Sequence, residues 1–272
     1  VAGKRSMEIA IEKARNAGTG WVATKNSNHY GIAGYYSMMA VKEDMIGVAM
    51  TNANPFVAPT FSKTRLLGTN PIAVAVPAGK YPFYIADFAT TPIARGKLTI
   101  KGRTGVSVEH GFVQDSEGHP STNPDVIKEG GAILPLGSDR LHGSHKGYCL
   151  NSLVDIFSAV FSGANFGPFV PPQVPYLPPP KEQVGQGLGH FFGAMRIDAF
   201  QEKEDFKNRM DKWIETFRKA ESIEGQPQVL IPGDPEREKE IQNEQEGVEL
   251  LDPVKHDLKE LAAKLDVEFQ IQ

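Results

Sequence analysis

Segments with a helical period and segments with an extended one follow each other along this chain without strict alternation. A doubly wound parallel sheet requires strand and helix to alternate, so the pattern points to a mixed α/β arrangement instead. The length of 272 residues suffices for one large domain or two modest ones. Such a chain can bury a sizeable core without disulfide staples.

Residues 5–17 read as a helix with Met7, Ile11 and Ala14 on one face and Asn16-Ala17-Gly18 as its stop. Trp21 to Thr24 reads as a short strand, and Tyr35 to Glu43 as a second helix. Ile46 to Thr51, Ile72 to Pro77 and Phe83 to Ala86 read as strands. Residues 100–135 are polar and turn-rich, with few strong periods. The apolar stretch with Leu150, Leu153, Val154, Phe157, Val160 and Phe161 predicts a central core helix. Residues 167–190 form a long loop rich in proline and glycine, a length usually functional. Phe191 to Ile197 is a strand candidate. Residues 203–222 predict an amphipathic helix on Phe206, Met210, Trp213, Ile214 and Phe217. Gln228 to Ile231 predicts a strand, residues 234–246 a solvated helix, and Asp252-Pro253 the cap of a last helix.

Composition excludes several functions. A net charge of -4 without a basic stripe argues against a nucleic-acid binder that works by phosphate neutralisation. Cys149 is alone, so no intrachain disulfide forms, which suits a reducing compartment such as the cytoplasm. No apolar run approaches membrane-spanning length. The first residues, Val1-Ala2-Gly3-Lys4-Arg5, lack an initiator Met, so the expectation is that they lie inside a longer polypeptide.

No dinucleotide fingerprint is present. Gly185-Gln186-Gly187-Leu188-Gly189 comes nearest, but it follows a proline-rich loop rather than a strand. His29 stands in a polar turn beside Asn26, Ser27 and Asn28, with Gly31 and Gly34 after it. Imidazole is suited to moving one proton near neutral pH, yet a loop histidine that only caps the next helix fits as well. His142 and His145 are three residues apart beside Lys146, which allows either a metal pair or an anion site. For the anion site, Gly143, Ser144 and Gly147 would expose N–H groups at a helix start, fit for a pyrophosphate. Asp87, at a strand end, could orient a ribose or a histidine, or merely cap a helix. Asp155, inside the apolar helix, needs partners if buried.

Taken in order, certain motifs resemble a known family. They are Asn26-Ser27-Asn28-His29-Tyr30-Gly31, Thr51-Asn52-Ala53-Asn54-Pro55, Leu67-Gly68-Thr69-Asn70-Pro71, Asp87-Phe88-Ala89-Thr90 and Ala94-Arg95-Gly96-Lys97. His145-Lys146-Gly147-Tyr148, Leu153-Val154-Asp155, Gly189-His190-Phe191-Phe192 and Pro232-Gly233-Asp234 follow. This resembles the malate/L-lactate dehydrogenase family of the non-Rossmann type, whose relatives act on ureidoglycolate, sulfolactate, diketogulonate and cyclic imino acids.

The resemblance implies that His29 exchanges a proton with the substrate oxygen while hydride moves to or from a nicotinamide. It implies NAD, or NADP, held along Asn52-Ala53, Asp87-Phe88-Ala89, Gly137-Ser138 and His145-Lys146, with Pro232-Gly233-Asp234 near the adenosine end. It also implies a homodimer and an unusual α/β fold with a mixed sheet and a helical part. The expected division is residues 1–130 with 223–272 as the cofactor-binding sheet domain and residues 131–222 as the helical part. Malate or lactate is the expected substrate, and no metal is called for.

Three departures stand out. Such enzymes carry an earlier Ser-His-Gly stretch and an arginine at the substrate carboxylate, and this chain starts after them. Ala53 lacks a hydroxyl that some relatives offer, and the proline-rich 167–190 loop is shorter than theirs. The competing expectations are an inactive dinucleotide-binding relative and, more distantly, a metal hydrolase built on His142 and His145.

Overall fold

In the computed structural model, which describes residues 1–173, 178 and 180–269, helix α1 (Ala2–Ala17) buries Met7, Ala10, Ile11 and Ala14 along one stripe. Strand β1 (Thr19–Ser27) leads into α2 (Ala33–Val41), and β2 (Met45–Thr51), β3 (Ile72–Val76) and β4 (Tyr84–Phe88) follow. Next come α3 (Arg95–Thr104) and the short strands β5 (Val113–Gln114), β6 (Pro120–Ser121) and β7 (Ala132–Ile133). Helix α4 (Ser144–Asp155) runs on as a π-helical turn over Ile156–Val160. Strand β8 (Leu188–Arg196), α5 (Lys203–Arg218), α6 (Asp234–Glu246) and α7 (Asp252–Leu265) complete the order.

The main sheet runs β1-β8-β2-β3-β4, with every adjacent pair antiparallel. The parallel pairing found is an isolated bridge between Val57 and Ile133. Strand β8 is central, and its first seven residues are buried, as befits a strand covered on both faces. Successive side chains point to opposite faces. Phe192 therefore joins the core under α1 and α2, with Met7, Ala40 and Ala49. Phe191 faces the other way, 5.1 Å from Phe157 between ring centres. Close backbone approach explains two glycines. A Cβ at Gly47 would stand 2.1 Å from the Ser37 carbonyl oxygen of α2, and one at Gly189 would stand 1.8 Å from that of Ser158 in the π turn. A second core, with Val57, Leu98, Val113, Val126 and Ile133, lies around the β6-β5-β7 sheet.

By contacts the chain divides into one unit of residues 1–233 and a second from Asp234 onward. The second unit holds α6, exposed along most of its length as expected, and α7, which buries Ala262.

Four expectations are corrected. The helix from 144 onward is not a core element, because Leu150, Leu153, Phe157, Val160 and Phe161 are 37% to 69% exposed and of the named stripe only Val154 is buried. Its period identified an apolar face, which the described residues leave largely uncovered. Residues 100–104, read as the start of a turn-rich stretch, instead end helix α3; Gly96, Gly102 and β-branched residues hide the helix, and within it only Leu98 is buried. Gln228 to Ile231 is not a strand, although Pro232 does accept a bond from the Ile85 N–H at the edge of β4. Asp252 lies inside α7, and Leu251 takes the cap position without a side-chain capping bond. Part of the long loop, residues 174–177 and 179, lies outside the described residues.

Candidate active site

Strand β1 ends at Ser27, and a turn carries Asn28 to Ile32 into α2. His29 is exposed on that turn. Its N–H donates to the Asn28 Oδ1 at 2.7 Å, and the Gly31 N–H donates to its Nδ1 at 3.0 Å. The ring thus carries its own proton on Nε2 in this arrangement. Gly31 has φ 88 and open space where a Cβ would stand, a conformation that other residues adopt only with strain. His29 lines a cleft of about 280 Å³ together with Ala53, Asn54, Thr69, Arg95 and Gln173.

Beneath this turn lies a buried ring system, whose Tyr30 and His190 occur in the family motifs but carry no expected role. His190 is fully buried and stacks on Tyr30, with ring centres 4.5 Å apart. Its Nε2 is 2.7 Å from the Ser27 Oγ and its Nδ1 is 2.7 Å from the Thr51 Oγ1. Burial, with a lesser contribution from His29, lowers the His190 pKa to about 4, so the ring is neutral at pH 7. Tyr30 is pushed well above the ordinary phenol range by burial first and Asp87 second. The Tyr30 hydroxyl is buried and finds no hydrogen-bond partner among the described residues.

Asparagines stitch the loops around the cleft. Asn52 accepts from the Gly189 N–H at 3.0 Å and donates to the Asn165 carbonyl at 2.8 Å. Asn70 accepts from the Ala53 N–H at 3.0 Å and donates to the Asn151 Oδ1 at 2.8 Å. Asn151 in turn donates to the Gly68 carbonyl at 2.7 Å. Asp155 is buried, accepts from the Gly167 N–H and bonds the Asn52 side chain. Desolvation lifts its pKa to about 6 despite those bonds. Asp155 is therefore a hub with partners, one of the two alternatives open to it from sequence.

Of the residues expected around a cofactor, Ala53 stands in the His29 cleft, while the Asn52 side chain is engaged in the framework below. Asp87 accepts from the Gly34 N–H at 2.6 Å, so it caps the first turn of α2 from a neighbouring strand. Phe88 is 40% exposed beside it, and Ala89 is half-buried. Gly137 and Ser138 form a tight turn with φ 88 and φ 60. Ser138 lines a second cleft, of about 330 Å³, with Thr60, Phe61, Arg140 and Ser144. The segment 53–61 contributes to both clefts.

At the start of α4, Arg140 donates to the His145 Nδ1 at 2.8 Å. Desolvation first, then Arg140 and Lys146, lower the His145 pKa. Lys146 is exposed. The Ser144 N–H, expected to be on offer to an anion, is instead taken by the Asp139 carbonyl at 2.8 Å. His142 pairs with Asp139 at 2.8 Å, so the two histidines serve different partners. Among the described residues no group of three potential metal ligands converges. Pro232 and Gly233, at φ 99, end the first unit and Asp234 opens the second, where its carboxylate meets Arg237 at 3.1 Å.

The sequence profile described as "Malate/L-lactate dehydrogenase" matches residues 1–259. The chain belongs to the malate/L-lactate dehydrogenase family. Within that family it is 40% identical to a malate dehydrogenase of Pyrococcus horikoshii, over 86% of this chain and 63% of that protein. It is 38% identical to an L-sulfolactate dehydrogenase of Methanocaldococcus jannaschii, over 99% of this chain and 74% of the relative. The solved structure of a malate dehydrogenase from Entamoeba histolytica superposes with a TM-score of 0.88 at 34% identity, over the whole of this chain and 75% of that one. The chain thus spans less than two thirds of the Pyrococcus relative, and family membership fixes fold and ancestry rather than the activity of the whole protein.

Proposed function

We propose that the protein is a nicotinamide-dependent oxidoreductase that interconverts a small 2-hydroxy acid and its 2-oxo acid, with malate or lactate as the hydroxy acid and His29 as the proton-exchanging residue. The observation that carries this reading is the placement of His29 in a cleft built from the family's own motifs, over a buried and neutral His190. A second observation is the membership of relatives named for malate and sulfolactate, both 2-hydroxy acids.

The donor set around the two clefts suits a dinucleotide. Arg140 and Lys146 bring positive charge to the turn at Gly137-Ser138, which fits a pyrophosphate. Asn52-Ala53, Asp87-Phe88-Ala89 and His145 would flank the cofactor, with Pro232-Gly233-Asp234 toward its adenosine end. NAD is the proposed cofactor, with NADP as the alternative measured beside it. When bound, the nicotinamide supplies or takes the hydride at the substrate's C2.

His29 performs the matching proton transfer at the C2 oxygen. A ring that exchanges a proton at Nε2 carries its other proton on Nδ1. The Gly31 N–H therefore has to leave Nδ1 during the reaction, and the glycine backbone leaves room for that swing. His190, through Ser27, holds the strand end from which His29 projects.

We further propose a cytoplasmic homodimer. Trp21, Phe157 and Phe161 surround Phe191 and are each at least 40% exposed, and Leu153 and Val160 extend the patch along α4 and its π turn. A contiguous apolar surface of this kind marks an association face.

The test is oxidation of NADH or NADPH by the full-length protein against a panel of 2-oxo acids. The reading predicts turnover with at least one acid; an absence of turnover across the panel, with cofactor binding retained, favours the inactive relative.

A further inference from the structure

The cleft that His29 lines also holds a cation that proton transfer does not use. Arg95, the first residue of α3, is exposed at this cleft. Its guanidinium carbon lies 4.5 Å from the centre of the Phe56 ring. Among the described residues, its side chain makes no hydrogen bond and no ion pair. Arg196, by contrast, has its fork filled by Asp198 at 2.7 and 2.9 Å. Among the described residues, no aspartate or glutamate lines the cleft. A Cβ at the adjoining Gly96 would meet nothing within 4 Å, so there is room beside the guanidinium for another group.

A planar fork laid on an aromatic face is held in one plane, with its N–H groups pointing outward along the edge. That geometry fits two oxygens of a carboxylate or sulfonate through parallel charge-assisted hydrogen bonds. We infer that Arg95 recognises an anionic group of the acid substrate in the cleft where His29 exchanges the proton. This rests on the reading of His29 proposed above. The anion has two possible sources: the carboxylate next to the reacting carbon, or a second acidic group further along the substrate.

Steady-state kinetics of the full-length protein with NADH test it, using pyruvate as the acid with one carboxylate and oxaloacetate as the acid with two. Arg95→Gln should raise the KM for oxaloacetate about 10- to 100-fold, the usual loss for a hydrogen bond to a charged group. The KM for NADH should stay unchanged. Arg95→Lys should recover only part of the loss, because a point charge lacks the fork. An equal rise for pyruvate assigns the contact to the carboxylate beside the reacting carbon. A rise for oxaloacetate alone assigns it to the second group, and makes Arg95 the residue that selects dianionic acids. A KM within twofold of the parent for both acids, or a change confined to NADH, overturns the inference. If the parent reduces neither acid, the reading of His29 fails separately. Calorimetric binding of oxalate in the presence of NADH then decides Arg95: loss of binding in Arg95→Gln sustains it, and unchanged binding refutes it.

Discussion

Burial favours the neutral form of two groups, an acid and a base: Asp155, bonded to Gly167 and Asn52, and His190, bonded to Ser27 and Thr51. Asp155 has its folded pKa raised to about 6 from 3.8, so its contribution to stability is full below about pH 4 and is lost as pH rises through 6. His190 has its folded pKa lowered to about 4 from 6.5, so its contribution is full above 6.5 and is lost as pH falls toward 4. Each displacement is worth on the order of 3 kcal/mol, and between pH 4 and 6 the two slopes oppose each other. Relative to the parent, Asp155→Asn should gain stability as pH rises from 4 to 6, and His190→Phe should gain it as pH falls from 6.5 to 4. Urea midpoints across that range check both, and parallel profiles for parent and variants would contradict the assignment. From its residue type and turn His29 stayed open between a proton-moving ring and a helix cap, and only the ordered motifs of the family resemblance singled it out. The role of His190 was not legible, because it reads as the end of the 167–190 loop, and its hydroxyl partners, Ser27 and Thr51, converge on it from distant segments.

The loops Thr51 to Pro55 and Gly68 to Pro71 keep their shape through side-chain amides rather than through regular structure. Asn70→Ala leaves the Ala53 N–H and the Asn151 Oδ1 without their partner. Leaving such buried groups unpaired costs roughly 1–3 kcal/mol. The variant should therefore lose that much stability in denaturant unfolding and also raise the KM for the acid, since Ala53 lines the cleft. Stability at parent level would show that the amide framework does not hold the loop.

Helix α4 invites a second test at this scale. Phe161 is 69% exposed at the end of its apolar patch. Phe161→Glu should halve the mass measured by light scattering while the helical circular dichroism is retained; an unchanged mass contradicts the dimer face. The sequence showed α1 and the five strands of the main sheet in outline, since Met7, Ile11 and Ala14 recur at helical spacing and are buried, whereas β5, β6 and β7 went unread and the strand expected at Gln228 to Ile231 does not form. It misjudged α4 because periodicity tells which face of a helix is apolar, not what covers it. It missed α3 because Gly96, Gly102, Thr99 and Ile100 weaken every local helical signal, and that helix places Arg95.

At the scale of the whole molecule, no single motif in this chain announces a nicotinamide site. Gly185 to Gly189 lacks the strand-to-helix context that a phosphate-binding fingerprint needs, and it leads instead into the central strand β8. What was legible was the order of several short motifs, and four of them meet at one cleft, through His29, Ala53 and Asn54, Thr69, and Ala94 to Gly96. Their convergence could not be read from spacing, because Asn52, Asn70, Asn151 and Asn165 are joined across more than a hundred residues of chain in places. The central claim is that His29 moves the proton. Its most direct measurement is the rate of NADH oxidation by the full-length protein and its His29→Ala variant, with oxaloacetate as the acid. The account predicts a fall in kcat of roughly 10²- to 10⁴-fold with NADH binding retained. A variant that turns over at the parent rate would contradict it.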